Sequence, residues 1–529
     1  MVACMSLHSS CNYTTSFLDS ILRASFAIST MTFSKARPGQ AGLPSNNPTQ
    51  SFWHSQPSET LLGHRTTKTL PSEADFVIIG SGISGAFAAH FLQQDARGKD
   101  LKVVMLEARE ACWGATGRVK SHFPSQCVIC DIDKIQNGGH CQPLLYSSPP
   151  EVSAFELRNY YTLKKLVEEN GIQCDWQTLS GVHAYMSEDM FRIGLAEVEA
   201  LQRLDSNLAS QITVVTKESR HPSLTDLRIP SAAGAFVQKN AASLWPYKLV
   251  AWIIEELLAR NGEDEALRFN LQTNTPVMRL QKNDDSWIVH TPRGMISAKQ
   301  VLLTTNAYTS HLLPGFSDLI VPVQGEMSSL LPPRSLQQAQ ITRPLNHTYV
   351  FVGHGKQNIN QDDYLVQRPC ASKTFAIEGG ELMFGGGRAE AIEAGVGVSD
   401  DSFIDPAAAI YLRRELSVVL DLDNHDRELH ASYQWSGIMG FSRDNRPWVG
   451  ELDDSVRVGG GNGLWISAGF TGHGMPNACL SAKAAVEMML GSDKKDVDLP
   501  SMYQVSRERV EAARSLVEVH VADTLGLLS

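Results

Sequence analysis

The sequence predicts an α/β protein in which a nucleotide-binding part and a second, mixed-sheet α+β part alternate along the chain. Three observations predict it. The apolar run Asp75-Phe76-Val77-Ile78-Ile79 ends in Gly80-Ser81-Gly82-Ile83-Ser84-Gly85 and gives way to a helical pattern, Ala86–Leu92. Residues 320–420 alternate β patterns with turns. The opening style then returns near the C-terminus, where a strand at Leu464–Ala468 runs into the glycine-rich Gly469–Met475 and a small-residue helix, Ala478–Leu490.

Strand, tight turn and helix give the glycine motif its meaning. Gly80 permits the turn, Gly82 lets backbone approach a pyrophosphate, and Gly85 allows close helix–strand packing. Phosphates then face free N–H groups at a helix N-terminus. The next strand, Leu101–Ala108, carries Glu107 near its end, placed to accept bonds from a ribose diol. An acid there repels a 2′-phosphate, so FAD or NAD is favoured over NADP. Gly80, Ser81, Gly82, Ile83, Ser84, Gly85, Glu107, Ala108 and Arg109 are the first candidate cofactor contacts.

A chain of 529 residues accommodates two or three domains, and 43% apolar residues with 40 glycines fits an α/β protein rich in turns. The net charge of −11 argues against nucleic acid as the main partner. No window approaches the ~18 uninterrupted apolar residues of a membrane span. Nine cysteines spread over this length do not form a disulfide framework, so a cytoplasmic setting is expected. Residues 1–70, rich in Ser, Thr, Pro and Asn, read as an irregular leader. Translation is expected to begin at Met31; a mitochondrial transit peptide in 1–30 is the alternative, weakened by Asp19.

Further along, the spacing predicts helices at Val152–Glu169, Arg192–Leu204 and Ala407–Leu420, and an amphipathic one around Leu249–Leu258. A β-meander is expected from Thr275–Leu280, Ser286–Thr291 and Lys299–Thr305, with Val277 inside its first strand and Pro276 tolerated at that strand's start.

Several further segments carry a resemblance: Gly114-Ala115-Thr116-Gly117-Arg118, Asn137-Gly138-Gly139-His140, Thr304-Thr305-Asn306-Ala307-Tyr308, Gly385-Gly386-Gly387-Arg388 and Gly469–Met475. With Gly80–Gly85 and Glu107, and in this order over residues 71–490, they resemble the D-amino-acid-oxidase-like FAD-dependent oxidoreductases, nearest to γ-glutamylputrescine oxidase and its fungal relatives. The resemblance implies a Rossmann-like FAD-binding domain over 71–184, 225–325 and 430–495, a mixed-sheet substrate domain over 185–224 and 326–429, and a helical tail over 496–529. It adds Gly117, Arg118, Asn137, Gly138, Gly139, His140, Val277, Thr305, Asn306, Gly472, His473, Gly474 and Met475 as FAD contacts. It also implies hydride transfer from the carbon bearing a small amine or amino-acid nitrogen to flavin, with O2 as acceptor and hydrogen peroxide as product. A dehydrogenase using another acceptor and a catalytically silent flavoprotein-like binding protein are the competing readings.

The resemblance leaves several residues with two readings. His140 and His473 are candidate acid–base groups or hydrogen-bonded spacers. Arg388 is a candidate carboxylate binder or half of an ion pair, and Trp435 and Tyr364 wall a substrate pocket or simply pack. Cys141 and Cys479 are expected to be buried fillers, leaving FAD non-covalent. One departure is plain: relatives run Gly-Arg directly into Asn-Gly-Gly, whereas Val119–Gln136 intervenes here. A whole number of codons beginning with Val and ending with Gln reads as a retained intron, a surface loop being the alternative. Its Cys127 and Cys130 form one Cys-x-x-Cys pair, and one pair does not make a zinc site, so no metal is expected.

Overall fold

The structure is a computed structural model and describes residues 39–118, 140–146, 149–261, 268–333, 344–354, 360–369, 380–422 and 427–516. The segment 119–136, with Cys127 and Cys130, lies outside them, as do Asn137, Gly138 and Gly139.

The first sheet is organised around β1 (Glu73–Ile79), whose last four residues are all buried. β1 is flanked in parallel by β2 (Val103–Leu106) and β10 (Gly294–Leu303), and further out by β7 (Phe269–Gln272) and β17 (Leu464–Ala468). β16 (Trp448–Glu451) closes one edge antiparallel. Parallel strands buried on both faces need an unbroken apolar run, which is what Val77-Ile78-Ile79 supplies. The meander of β8 (Arg279–Asn283) and β9 (Ser286–Thr291) pairs with the first half of β10, while the second half of β10 pairs with β17.

The second sheet runs β15 (Ala431–Ser442), β11 (Ile320–Leu330), β14 (Leu382–Gly386), β13 (Asn360–Gln367), β12 (His347–His354), β4 (Gln177–Tyr185), β6 (Gly234–Ser243) and β3 (His140–Cys141), with β5 (Ile212–Val215) on β6. It is mixed, because β4 and β12 pair in parallel among antiparallel neighbours. The longer helices are α1 (Ile83–Gln94), α2 (Pro150–Asn170), α3 (Glu188–Leu204), α4 (Pro246–Ala259), α5 (Pro406–Val419), α6 (Ala478–Met489) and α7 (Arg507–Ser515). Their ends follow local chemistry. Pro150 opens α2 and Gly171, at φ 60°, ends it; Asp405 caps α5 by accepting from Ala407 and Ala408 N–H. α1 packs against α4 and α6 beside the first sheet, and α5 lies on β11 and β14 of the second.

Four expectations need correction. Val277 is not within a strand: Pro276 has no N–H for the ladder, and β8 begins only at Arg279, after Met278 N–H has bonded to the His290 carbonyl at 2.8 Å. β2 is shorter than Leu101–Ala108. β4, β6 and β15 are strands of the second sheet, so hydrogen bonding joins most of residues 177–184, 234–243 and 431–442 to the part expected to be separate from them. Finally, residues 39–70 are not a leader apart from the fold. They hold little regular structure, but Phe52 and Trp53 are buried against Trp245, whose indole N–H donates to the Trp53 carbonyl at 2.7 Å. No helix of the described residues is long and apolar enough to cross a membrane.

Candidate functional site

A cleft opens beyond the carboxyl ends of β1, β2 and β10, where ligands bind in open parallel sheets. Gly80 to Ser84 form its floor, Glu107 to Arg109 and Val277 one end, and Thr304 to Tyr308 a side. Ile438 and Met439 of β15, Phe470, Gly472, Gly474 and Met475 line the other end.

The three motif glycines are needed for different reasons. Gly80 sits at φ 110°, where a Cβ would also come within 2.8 Å of the Thr304 carbonyl oxygen. A Cβ at Gly85 would stand 2.0 Å from the Gly80 carbonyl oxygen, which forces α1 onto the turn. Gly82, at the N-cap of α1, has no side chain to bond the first-turn N–H groups, and a Cβ there would lie 3.1 Å from Thr116 Oγ1. Thr116 instead accepts from Ile83 N–H at 3.0 Å, tying the segment after β2 to the helix start.

Glu107 is buried and lines the cleft. Its Oε2 accepts from Ser81 N–H at 3.1 Å and from the Ser81 hydroxyl at 2.6 Å, and its Oε1 from Arg109 N–H at 2.9 Å. A carboxylate offers roughly four acceptor positions, so capacity for a ribose hydroxyl remains. Arg109 is the one arginine of the described lining, and its guanidinium is engaged: Nη1 reaches both Asp401 oxygens at 3.0 and 2.9 Å, and Nη2 donates to the Trp113 carbonyl at 2.6 Å. Among the described lining residues there is no lysine and no second arginine to pair with a 2′-phosphate.

The far end is set by Asn306, at φ 45°, whose Oδ1 accepts from the N–H groups of Gly469 and Phe470 at 3.0 and 3.3 Å. Gly440 has no room for a Cβ, which would meet Asn306 Oδ1 and Ala307 N at 2.7 Å, and its carbonyl accepts from Thr471 N–H at 2.9 Å. The glycine-rich loop is thereby pinned between the two sheets, and Gly474 and Met475 lead into the N-terminus of α6.

The structure brings Gly80, Ser81, Gly82, Ile83, Ser84, Glu107, Ala108, Arg109, Val277, Thr305, Asn306, Gly472, Gly474 and Met475 to this one cleft. Other candidates go elsewhere. His473 lies outside the lining, its Nε2 2.9 Å from Glu156 Oε2, and Glu156 also accepts from Asn477 and from Leu144 N–H. Arg118 pairs with Asp401 at 3.1 Å and donates to the Ser436 carbonyl and to Thr49; burial takes its pKa down to about 10, against the pull of Asp401. Gly117 packs under His54 and the Cys112 carbonyl, leaving no space for a Cβ. His140 pairs by backbone with Ser243 in β3.

Arg388 is buried without lining the cleft, and Nε donates to the Ala394 carbonyl at 3.0 Å. Burial lowers its pKa to about 9, Glu326 opposing. Trp435 gives its indole N–H to the Arg118 carbonyl at 2.6 Å, and the Tyr364 hydroxyl meets Met327 Sδ, so both pack in the interior. Burial raises the pKa of the Cys141 and Cys479 thiols, and neither lines the cleft. Among the described residues no group of three His, Cys, Asp or Glu is placed to hold a metal.

Leu43, Pro44, His311 and Leu312 also line the cleft, and no pattern in the sequence marks them. They belong to no motif, and only the tertiary fold brings residue 43 to residue 311.

The donor set fits a flavin dinucleotide. A glycine floor at a helix N-terminus suits a pyrophosphate, and an acid without a free cation suits an unmodified ribose. Apolar Ile438, Met439 and Phe470 with a glycine-rich backbone suit a planar ring. The comparisons agree. The family model described as DAO, FAD dependent oxidoreductase, matches residues 75–488. The chain is 22% identical over 441 residues to the probable oxidoreductase OrdL of Haemophilus influenzae, covering 81% of this chain and 87% of that one. Its fold is similar to that of glycine oxidase from Geobacillus kaustophilus, with TM-score 0.59, 16% identity and coverage of 82% and 99%. It is also similar to that of L-proline dehydrogenase from P. horikoshii, with TM-score 0.57, 17% identity and coverage of 83% and 98%.

Proposed function

The chain belongs to the DAO family of FAD-dependent oxidoreductases, and on that premise we propose that it oxidises the C–N bond of a small amine or amino acid, with O2 as the acceptor. The observation that carries the proposal is the continuity of one cleft from Glu107 and the Gly80–Ser84 turn to Ile438, Met439 and the Gly472–Met475 loop. Bound flavin supplies the hydride acceptor. The protein's own tasks are then binding and orientation. First-turn N–H groups of α1 would hold the pyrophosphate, Glu107 would accept from the ribose, and Val277 would lie by the adenine end. Backbone of Gly472–Met475, just before the positive end of α6, would hold the ring end of the group and favour negative charge there. The buried, protonated Cys141 and Cys479 thiols support non-covalent FAD. A cytoplasmic setting stays part of this reading on the spread of nine cysteines over a long chain.

A narrower placement, nearest γ-glutamylputrescine oxidase and its fungal relatives, rests on the motif order, and the OrdL similarity supports its oxidoreductase part. The competing dehydrogenase reading is supported by the fold likeness to L-proline dehydrogenase, which stands beside that to glycine oxidase. A panel of amines and amino acids, assayed in parallel for peroxide release and for reduction of an artificial dye, tests the reading. It is run on the chain with and without 119–136. Peroxide with at least one amine supports the oxidase; dye reduction without peroxide supports the dehydrogenase; neither, in a flavin-loaded protein, contradicts amine oxidation.

A further inference from the structure

The residues that precede the family match contribute a wall to the cleft. Leu43 and Pro44 line it beside Glu107–Arg109 and Tyr308–Leu312. The segment carrying them is tied on both sides. Ala41 N–H donates to Ser310 Oγ at 2.9 Å, on the side of the first sheet. Gly42 N–H donates to Ser399 Oγ at 3.3 Å, and Thr49 N–H to the Asp401 carbonyl at 2.8 Å, on the loop between β14 and α5. Arg109, held by Asp401, also donates to the Ser45 carbonyl at 3.2 Å. Between Ala41 and Ser51, both buried, every residue is half-buried or exposed. Both ends are firmly held: Ala41 is buried, and Thr49 accepts from the Arg118 guanidinium and from Ser436 N–H at 3.0 Å. Residues 42–48 between them have no fully buried side chain and, among the described residues, only the Gly42 and Ser45 hydrogen bonds to the rest of the fold, which places them at its low-stability end. Beyond it the chain descends into the core at Phe52 and Trp53.

We propose that residues 42–48 form a strap across the mouth of the dinucleotide cleft, anchored at Ala41 and Thr49, and that the strap lifts off Ser399 to let the cofactor enter or leave. The inference rests on the reading of this cleft as the FAD site. The strap, and not the affinity of the glycine turn alone, then governs how fast FAD exchanges.

The geometry offers a reversible test. A Cβ at Gly42 would stand 3.8 Å from Ser399 Oγ, an ordinary contact, and Gly42 is not in the left-handed region. The double variant Gly42→Cys with Ser399→Cys, made in the full chain, is loaded with FAD and then oxidised. Release of FAD after dilution is followed by the rise in flavin fluorescence, in the oxidised protein and after reduction with a phosphine. Wild type treated identically accounts for the native cysteines. The strap account expects release about tenfold or more slower in the cross-linked form, recovered on reduction, with wild type indifferent to both treatments. Equal release from cross-linked and reduced forms overturns the strap, as does failure of the two cysteines to join. Wild type that binds no FAD overturns the cofactor reading itself.

Discussion

Ser81 gives both its backbone N–H, at 3.1 Å, and its hydroxyl, at 2.6 Å, to the same carboxylate oxygen of Glu107. The first glycine turn is thereby fastened to the end of the neighbouring strand, and the carboxylate is held at the cleft. The Ser81 hydroxyl accepts in turn from Cys112 N–H at 2.9 Å. Glu107→Ala removes the ribose acceptor and takes away the acceptor of the Ser81 N–H and O–H donors, while the bond from Cys112 N–H to the Ser81 hydroxyl stays. A charged hydrogen bond contributes about 1.5–3 kcal/mol, so FAD affinity is expected to fall roughly ten- to a hundredfold. Titration of apoprotein with FAD by fluorescence quenching measures this; unchanged affinity would remove Glu107 from the site.

Gly85 and Gly82 separate folding from binding. Gly85→Ala puts a methyl 2.0 Å from the Gly80 carbonyl oxygen, a backbone atom that has to move. A loss of about 3 kcal/mol is expected, read from the urea midpoint. Gly82→Ala meets only a side-chain oxygen at 3.1 Å. Its melting temperature is expected to stay near wild type while FAD binding weakens at least about tenfold, since backbone approach to the pyrophosphate is lost.

His54 gives a pH dependence. Burial, with Arg118 adding to it, takes its pKa from 6.5 down to about 3, while the ring stacks on Trp113 at 4.9 Å. The unfolded chain binds the proton near pH 6.5 and the folded protein does not. His54 therefore contributes its stability fully above pH 6.5 and loses it as pH falls from 6.5 towards 3. The slope it adds is about 1.4 kcal/mol per pH unit within that window. Urea denaturation from pH 7 to 4.5 is expected to show His54→Asn losing about one proton's worth of slope, His90 and the carboxylates supplying the rest.

His473 separates positioning from chemistry. Its ring holds Glu156 and lies outside the cleft lining, so His473→Ala is expected to cost about 1–3 kcal/mol of stability. The pH profile of turnover is expected to keep its shape. A lost limb in that profile would return His473 to the acid–base role.

The legible parts of this protein were those where local pattern and contact coincide. Residues 75–92 fold as they read because an apolar run, a glycine turn and a helix are neighbours in sequence, and Glu107 follows one helix later. Thr305 and Asn306 were legible through their motif. Side-chain direction was not. His473 sits among residues that line the cleft, yet points to Glu156 on α2, and Arg118 follows Gly117 yet reaches Asp401, far along the chain. Leu43 and Pro44 carry no periodicity or motif, so nothing before the fold links them to Tyr308 or Arg109. The division of the sheets was equally hidden, because β4, β6 and β15 are assigned by their hydrogen-bond partners and not by composition.

The central claim is that the cleft above β1 holds FAD, and the most direct measurement is identification of the cofactor in the purified protein. The account expects a yellow protein with a flavin spectrum, and heat or acid releasing intact FAD into the supernatant with none left on the chain. Colourless protein that stays so when incubated with FAD, or bound NAD or NADP in its place, would contradict it.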